Sequence, residues 1–555
     1  MTVMNTIECA GFESGADVGE GSCHRPGTFT CSKYCSKEHQ TAHWKAHKRL
    51  CKDGMLSPSW KPAYIVENRL PSFMTMGASE SPMGTPFGGS KHVWGNIPAI
   101  DCLNLSRNEG SSAVDKDINL AFWYSNSAAS GDIRNLVQTV NGLPADYRGA
   151  CNILLNDRDI HIFTRNVLFL AILLDEYESI EEAAEMAVDL SYSMRLSSTT
   201  ASRVQMKMRV LGMILIGSVM GTPKSTSISI RGKSRLVIRH DMDEFTYLAK
   251  RGVLDVPIDV DDAERAMHES LLHPSRQDYR DLYYSGLKPA HRLAASTYRT
   301  NGMTRPIGTN LNEFDQPNRT LFSAEGEWLA PDSADPLHGW NMKAILESGK
   351  RHGTTEGDLY GALFFHAKEQ FTLFAQRLEA SNITITVSCV DAIELALILR
   401  TNPSAHGFSS FQKPVMFDRI ETSNIADWNY AGIRTVLGSW GPLLNRQNRH
   451  AALLTHFMNW VAMQPGGSIA GGSPSTSCRL APMVLMTKMT KELDLFHDTG
   501  PAFEKYLRAN EADEVAARHG LVRRKDHTII HKVGGLQLLT WTDRFVEFGV
   551  TDVVP

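Results

Sequence analysis

The chain has 555 residues and a formal net charge of −4 at pH 7, from 57 Lys and Arg against 61 Asp and Glu. A nearly neutral chain has no overall positive field to attract nucleic acid, so we expect no nucleic-acid partner. The longest apolar run, residues 166–174, is far shorter than the roughly 20 residues that span a membrane, so we expect no membrane segment.

The first feature along the chain is a cluster of cysteine and histidine. Five of the nine cysteines lie in the first 51 residues, and residues 30–51 contain three cysteines and three histidines. Cys35 and His39 are four residues apart, as are His47 and Cys51, so each pair shares one face of a helix. Zinc binds four such thiolate or imidazole ligands. The alternatives are a disulfide cluster or a solvated basic helix, and the N-terminus shows no signal-peptide pattern that would favour disulfides.

This cluster resembles the C-terminal half of a MYND-type zinc finger. The matching positions are Tyr34, Cys35, Ser36, Gln40, Trp44, His47, Lys48 and Cys51. The resemblance implies two cross-braced zinc sites, with His39 standing where the family has cysteine. The first site would use Cys9, Cys23, Cys35 and His39. The second would use Cys31, His47 and Cys51, and it lacks a fourth ligand unless His24, His43 or water supplies one.

The resemblance also implies a role in protein interaction. MYND fingers typically dock short Pro-rich peptides, which implies protein partners and peptide contacts through Gln40 and Trp44. The missing ligand has two explanations: a degenerate finger, or a few residues lost from the gene prediction. We assign the finger to residues 1–52.

Composition changes after the finger. Residues 53–93 are rich in Pro, Gly, Ser and Met without sustained periodicity, which predicts a linker or an irregular wrapping segment. Globular patterning begins at Trp94, so residues 94–555 are predicted to form the body. Long polar stretches within the body are expected to be surface loops.

The body begins with alternating strands and helices. Residues 118–125 and 151–157 are predicted strands, each followed by a helical pattern, which indicates a parallel sheet. Later segments also favour strand followed by helix, namely 382–395 and 414–430. Further helical patterns cover 179–196, 246–252, 357–380, 448–463 and 480–496.

Residues 94–180 resemble a domain of unknown function that follows MYND fingers in fungal proteins and also begins an axonemal dynein assembly factor. The pairing of this domain with a finger implies a fungal protein of the cytoplasm or nucleus.

Acidic residues follow several predicted strands in a pattern that resembles class I methyltransferases. Gly131 and Asp132 follow the first strand, Asp157 ends the second, and Asp391 ends a later one; "FDRIETSN" adds Asp418 and Asn424. The resemblance implies S-adenosylmethionine at the strands' carboxyl ends, with carboxylates accepting ribose and adenine protons. The alternative is that these aspartates cap helices and turns.

Two features count against the cofactor. The loop before Asp132 has a single glycine, Gly131, and about two hundred residues separate the second and third strands of this pattern. We therefore expect an α/β protein with a small zinc finger and a Rossmann-like, methyltransferase-like body carrying long helical insertions. The leading function is a zinc-binding interaction or scaffold protein with no catalytic residue assigned, and the alternative is a methyltransferase or a degenerate relative.

Overall fold

A computed structural model of the chain describes residues 36–75, 87–124, 132–219, 224–240, 258–323, 325–465, 499–530 and 543–551. Its strands are β1 Ile118–Tyr124, β2 Ala150–Asp157, β3 Arg195–Leu196, β4 Ser225–Ser229, β5 Arg235–Arg239, β6 Gln316–Pro317, β7 Asn382–Ser388, β8 Arg419–Glu421, β9 Ala452–Phe457, β10 Leu521–Arg523 and β11 Arg544–Val550.

Helices of seven or more residues occur singly or in runs of two or three along the chain. They are α1 Lys37–Cys51, α2 Arg134–Asn141, α3 Ile160–Leu173, α4 Ile180–Tyr192, α5 Ser198–Val219, α6 Val260–Leu271, α7 Gln277–Ser285, α8 Pro289–Asn301, α9 Met342–Arg351, α10 Leu359–Ala380, α11 Ala392–Thr401, α12 Ile433–Trp440, α13 Gly500–Ala509 and α14 Ala512–Arg518. None of those described is long and apolar enough to cross a membrane.

The chain divides into two compact units. The first comprises Met1–Lys91, Tyr177–Lys207 and Arg251–Thr372, and the second comprises the remaining segments. The first unit is mainly helical, with β3 and β6 pairing antiparallel. Its core includes Trp340, whose indole Nε1 donates to the Tyr192 hydroxyl at 2.9 Å.

Part of the predicted linker packs within the first unit. Tyr64 and Phe73 are buried and meet edge to face, with ring centroids 5.9 Å apart. The guanidinium of Arg69 forms two hydrogen bonds to Asp278, at 2.6 and 2.8 Å. This packing favours the wrapping alternative for residues 54–75.

A nine-stranded sheet, counted over the described residues, forms the second unit. The strand order is β10-β11-β9-β8-β1-β2-β7-β5-β4. The five central strands, from β9 to β7, are parallel to one another, and β5 extends this parallel set. β11 is antiparallel to β9 and β10, and β4 is antiparallel to β5. The mixed α/β class and the parallel pairing of the first two strands are therefore confirmed.

Apolar side chains from helices α11, α12, α13 and α14 pack together with the sheet on one face. Trp123 of β1 and Trp440 of α12 meet there, with ring centroids 4.2 Å apart. The apolar run 166–174 lies largely in α3, whose residues after Ile160 are all buried, and α3 contacts β2, β5 and β7. The expectation of a buried core helix for this run is confirmed.

Two expectations for secondary structure are corrected. Residues 448–463 were predicted to be helical, but they contain β9, whose six residues are all buried. A short, mostly apolar run fits a buried strand as well as a helix, and here the strand is the outcome. In 414–430, β8 is followed by turns, and α12 begins only at Ile433. The predicted helices at 246–252 and 480–496 lie outside the described residues.

Candidate functional site

The carboxyl ends of the central parallel strands lie side by side, and this row of strand ends is called here the edge of the second unit's sheet. From β1 the chain passes to β2 on one side, and after β7 it returns to β8 on the other side of β1. In open α/β sheets, ligands bind where the strand order reverses in this way, in the crevice outside the carboxyl ends. The edge beside β1 and β8 is therefore the candidate site.

Asp157 and Asp391 both lie at this edge: Asp157 ends β2, and Asp391 follows the neighbouring strand β7. Asp157 ends β2 opposite Tyr124, and its Oδ1 accepts a hydrogen bond from the Asp159 backbone at 2.7 Å. Asp391 caps α11, with Oδ1 accepting from the Ile393 amide at 2.9 Å. Its other oxygen lies 3.6 Å from Arg158 Nη1. Asp157 therefore caps a turn and Asp391 caps a helix, as expected if these aspartates have no cofactor to bind.

Asp132 also belongs to this edge, whereas Gly131 lies outside the described residues. Asp132 accepts from the Gly95 amide at 3.0 Å and from Arg134 Nη1 at 2.7 Å. A Cβ at Gly95 would stand 1.6 Å from the Arg134 Cζ, so a side chain has no room there. Asp132 and buried Arg134 therefore hold the segment around Gly95 against the start of α2.

Asp418, in contrast, precedes β8 and lies away from this edge. Its carboxylate accepts from the Asn119 amide and from the side chains of Asn445 and Asn448, at 2.8 to 3.0 Å. The expectation that Asp418 belongs with the other strand-end acids is wrong, because it stands at the amino end of its strand.

Glu421, which the sequence analysis did not single out, ends β8 at the candidate site. It is paired with Phe122 of β1 and with Leu454 of β9. Its Oε1 accepts from the Ser423 amide at 2.8 Å. Burial raises the pKa of Glu421 to about 7, although the positive charge of Arg134 opposes the shift. A carboxyl group that exchanges its proton near neutral pH marks a candidate functional site.

The turn after β8 is joined to the end of β9 by polar contacts. The side-chain amides of Asn424 and Asn96 both donate to the Met458 sulfur, at 3.9 and 3.7 Å. Asp427 Oδ2 accepts from the backbone amides of Met458 and Asn459 at 2.7 and 2.6 Å. The contact with Met458 holds Asn424 in the turn that follows the carboxyl end of β8.

A buried histidine and aspartate lie at the same end of β9. His456 Nε2 is 3.1 Å from Asp543 Oδ1, and the ring stacks on Phe545 with centroids 4.4 Å apart. The His456 amide donates to the Ser423 carbonyl at 2.8 Å. Asp543 therefore fixes the orientation of the imidazole, a relationship between residues 87 positions apart that the sequence does not show.

The predicted zinc ligands are only partly within the described residues. Cys9, Cys23, Cys31 and Cys35 lie outside them, and the position of the His47 side chain is not described. His39 and Cys51 lie on α1, whose N-cap Ser36 accepts from the His39 amide at 3.3 Å. Among the described side chains, no three of His, Cys, Asp and Glu lie close enough together to hold a metal ion.

The two predicted peptide contacts also lie on α1. Gln40 is half-buried, and Trp44, one helical turn further on, is 45% exposed. Their spacing places both on one face of the helix.

The fold and its edge define a mixed α/β protein with buried polar groups at the carboxyl ends of parallel strands. A family model described as Domain of unknown function (DUF4470) matches residues 93–196, a range that includes the domain of unknown function expected at 94–180. The match includes β1, α2, β2, α3 and α4 and therefore contains Asp132 and Asp157, but not Asp391 or Glu421. No curated protein and no solved structure matched the chain.

Proposed function

We propose that the second unit is a Rossmann-like, methyltransferase-like domain that binds S-adenosylmethionine or a closely related adenosine ligand. The observation that carries this proposal is the order of the parallel strands, β7-β2-β1-β8-β9. When the inserted β4 and β5 are left aside, this is the third-second-first-fourth-fifth order of doubly wound nucleotide-binding sheets.

The strand order also removes one of the two objections from the sequence. Residues 158–381 form an insertion between the second and third parallel strands, and the strands on either side of it pair in register. A long insertion in a connection has only a modest entropic cost. The length of this connection is therefore compatible with cofactor binding.

The proposed roles follow from the strand on which each carboxylate lies. Asp157, after the second strand, would accept from the ribose hydroxyls, and Asp391, after the third, from the adenine amino group. The cap of α11 uses only Oδ1 of Asp391. Oδ2 lies 3.6 Å from the exposed guanidinium of Arg158, and a ligand that donates to Oδ2 would replace this ion pair. Bound S-adenosylmethionine would supply an activated methyl group.

Calorimetric titration of the full-length protein with S-adenosylhomocysteine tests the proposal. We expect saturable binding in the micromolar range, weakened about tenfold or more in Asp157→Asn, since the amide keeps the cap on Asp159 but loses the charge. Asp115→Asn is the matched control, because Asp115 is exposed and precedes β1 at the opposite edge. Absence of binding, or equal affinity in all three proteins, would reject the cofactor.

We also propose that the N-terminal segment is a zinc-dependent peptide-binding finger. His39 and Cys51 stand twelve residues apart on one helix, about 18 Å along its axis. They cannot share an ion, so this separation supports two sites, with Cys9, Cys23, Cys35 and His39 in one and Cys31, His47 and Cys51 in the other. Thiolate and imidazole ligands fit zinc.

The partner of the finger would be a protein segment, with a Pro-rich peptide as the leading candidate. Exposed Trp44 and its neighbour Gln40 offer an aromatic surface and an amide for extended-peptide recognition. We place the protein in the cytoplasm or nucleus, a proposal that the buried thiols of Cys102 and Cys151 support, since reduced cysteines persist in reducing compartments.

A further inference from the structure

The outermost strand β4 leaves one side of the nine-stranded sheet open. β4 pairs with β5 on one side, and no described strand pairs with its other side. None of its five residues, Ser225–Ser229, is buried. The strand contains no proline and no charged residue, and its register with β5 has no bulge. It therefore lacks the features by which many outermost strands avoid pairing with another chain.

The register of the β4–β5 hairpin shows which backbone groups point to this open side. The His240 amide donates to the Lys224 carbonyl at 3.0 Å, so this pair is hydrogen-bonded across the hairpin. In an antiparallel pair, hydrogen-bonded and non-hydrogen-bonded positions alternate. The amides and carbonyls of Ser225, Ser227 and Ser229 therefore point away from β5, and none of them has a partner among the described residues.

The two faces of β4 differ in burial. Directly opposed residues of antiparallel strands lie on the same face, so Ile228 shares the inner face with Leu236, which is fully buried. Ser227 and Ser229 lie on the other face and are exposed, with the exposed Arg235 opposite Ser229. Serine side chains are small, so they leave room on this face for the side chains of an added strand.

The hairpin is strongly basic in a chain that is otherwise nearly neutral. Residues 224–240 contain five Lys and Arg residues and no Asp or Glu. Lys224, Lys233 and Arg235 are exposed, and none of the three forms an ion pair with a described residue. The acidic residues within 241–244 follow the end of β5 that is farthest from the turn, whereas Lys233 and Arg235 lie at the turn. The turn end of the hairpin is therefore suited to contact negative charge.

We propose that the open side of β4 binds an extended acidic segment of a partner protein, which adds to the sheet as a further strand. Its backbone would pair with Ser225, Ser227 and Ser229. Strands lie about 4.8 Å apart, so a glutamate on the added strand can meet Arg235 across Ser229, and Lys233 lies in the adjoining turn. In strand addition the backbone hydrogen bonds supply affinity, and the side chains supply specificity.

This surface does not depend on the proposed cofactor or on the zinc finger. In the sheet, β4 is separated from β1 by β2, β7 and β5, so it lies away from the reversal of strand order. Loss of cofactor binding would leave the peptide measurement interpretable, and loss of peptide binding would leave the cofactor measurement interpretable.

Two other occupants fit the open side of β4 less well. A second copy paired antiparallel through β4 would bring the turn of one hairpin beside Lys224 of the other, so that like charges would meet. Nucleic acid would match the positive charge, but residues 224–240 contain no Phe, Tyr or Trp on which a base could stack. The outward amides and carbonyls favour a peptide backbone over both.

Fluorescence anisotropy with the full-length protein tests this surface. The probe is a fluorescein-labelled peptide of four Val-Glu repeats, and the comparison probe has lysine in place of each glutamate. We expect saturable binding of the Val-Glu peptide in the micromolar range, weakening as salt is raised from about 50 to about 500 mM. The Val-Lys peptide should bind at least about tenfold more weakly.

Variants separate the backbone contribution from the charge. Ser227→Pro removes an outward amide and keeps the hydrogen bonds to β5, and it should weaken binding of the Val-Glu peptide at least about tenfold. Ser227→Ala keeps the amide and should bind as the wild type does. Lys233→Glu and Arg235→Glu should each weaken binding about threefold or more. Lys505→Glu makes the same charge change at an exposed position on α13 and should have no such effect.

The unfolding temperature reports whether each variant folds, and Arg235→Glu tests the surface independently of Ser227→Pro. Absence of saturable binding, equal affinity for both peptides, or wild-type affinity in a folded Ser227→Pro or Arg235→Glu variant would overturn the proposal. A dimer in gel filtration that Ser227→Pro dissociates would assign the open side of β4 to a second copy instead. A single-stranded oligonucleotide that binds more tightly than the peptide, and is lost in Arg235→Glu, would assign the surface to nucleic acid.

Discussion

Glu421 on β8 is paired directly with Phe122 on β1, so a buried carboxyl group stands where the order of the parallel strands reverses. Few positions in an α/β fold are better suited to contact a bound ligand. The aromatic neighbour and the surrounding sheet deprive the carboxyl of water, which explains why its pKa is raised to about 7.

Replacing this carboxyl should change how stability depends on pH. Glu421 has a pKa of about 7 in the folded chain, against 4.5 for a glutamate that is not buried. The folded state therefore binds the proton more tightly than the unfolded state does. The destabilisation from Glu421 therefore grows as pH rises from about 4.5 and is complete above pH 7, on the order of 3 kcal/mol. In denaturant titrations, Glu421→Gln should gain stability relative to wild type between pH 5 and pH 8.

The control is Glu514→Gln, an exposed carboxylate on α14, which should show no comparable trend. A Glu421→Gln difference that is constant with pH would mean that burial does not raise the pKa of Glu421, and a difference that falls as pH rises would mean that this pKa is lowered.

Variants of Asp391 should separate its capping role from its proposed ligand role. Asp391→Ala removes the cap of α11 and should cost about 1 kcal/mol of unfolding free energy. Asp391→Asn keeps an oxygen for the cap and should retain stability while weakening S-adenosylhomocysteine binding. Ser179→Ala removes the cap of α4 and is the matched control for stability. Full affinity in Asp391→Asn would limit Asp391 to the cap.

A buried charge network should make the first unit sensitive to the loss of a single charge. Arg305 contacts Glu185 at 2.7 Å and also pairs with Asp189, while Lys368 lies 3.0 Å from Glu185. All four side chains are at most 8% exposed. Arg305→Ala would leave two carboxylates with one cation, which should cost about 3–5 kcal/mol.

This loss should be smaller below pH 6, because burial already raises the pKa of Asp189 to about 6 and protonation removes its charge. Calorimetric unfolding at pH 5 and pH 8 measures both effects. Arg148→Ala breaks an exposed pair with Asp115 and should change little. A similarly small effect of Arg305→Ala would show that the network contributes no net stability.

Metal analysis of the full-length protein tests the ligand register on α1. We expect about one tightly held zinc per chain, because one proposed site has four ligands and the other has three. His39→Ala should release this zinc, His39→Cys should retain it, and His43→Ala should have no effect. Release by His43→Ala but not by His39→Ala would place the ligand one helical turn away. Two zinc ions that both resist mild chelation would show that the second site is complete.

The parts of the fold that the sequence predicts well are those with continuous local patterns. The predicted strand 151–157 differs from β2 by one residue, and the pattern at 179–196 contains α4. The hairpin of β4 and β5 was not predicted, because β4 is a short strand of mainly Ser and Thr with no buried residue. The run around Leu453 was predicted as a helix, because its burial depends on β8 and β11 rather than on local periodicity.

The residues of the candidate site were predictable only where a local sequence pattern marks the strand before them. Asp157 and Asp391 follow recognisable strands, so their position at one edge could be inferred from order alone. Glu421 lies in a strand of only three residues, and its burial depends on β1 and β9, which are distant in the sequence. The pairing of His456 with Asp543 depends on β11 lying beside β9, which no local pattern indicates.

Hydrogen–deuterium exchange of the full-length protein with S-adenosylhomocysteine locates the ligand on the sheet. We expect slower exchange in peptides covering 118–124, 150–162 and 382–395, at the carboxyl ends of β1, β2 and β7, with no change in 512–523 around β10. The effect on these peptides should be lost in Asp157→Asn. Protection confined to other segments, or no protection at a ligand concentration that saturates binding, would contradict a cofactor site at the reversal of strand order.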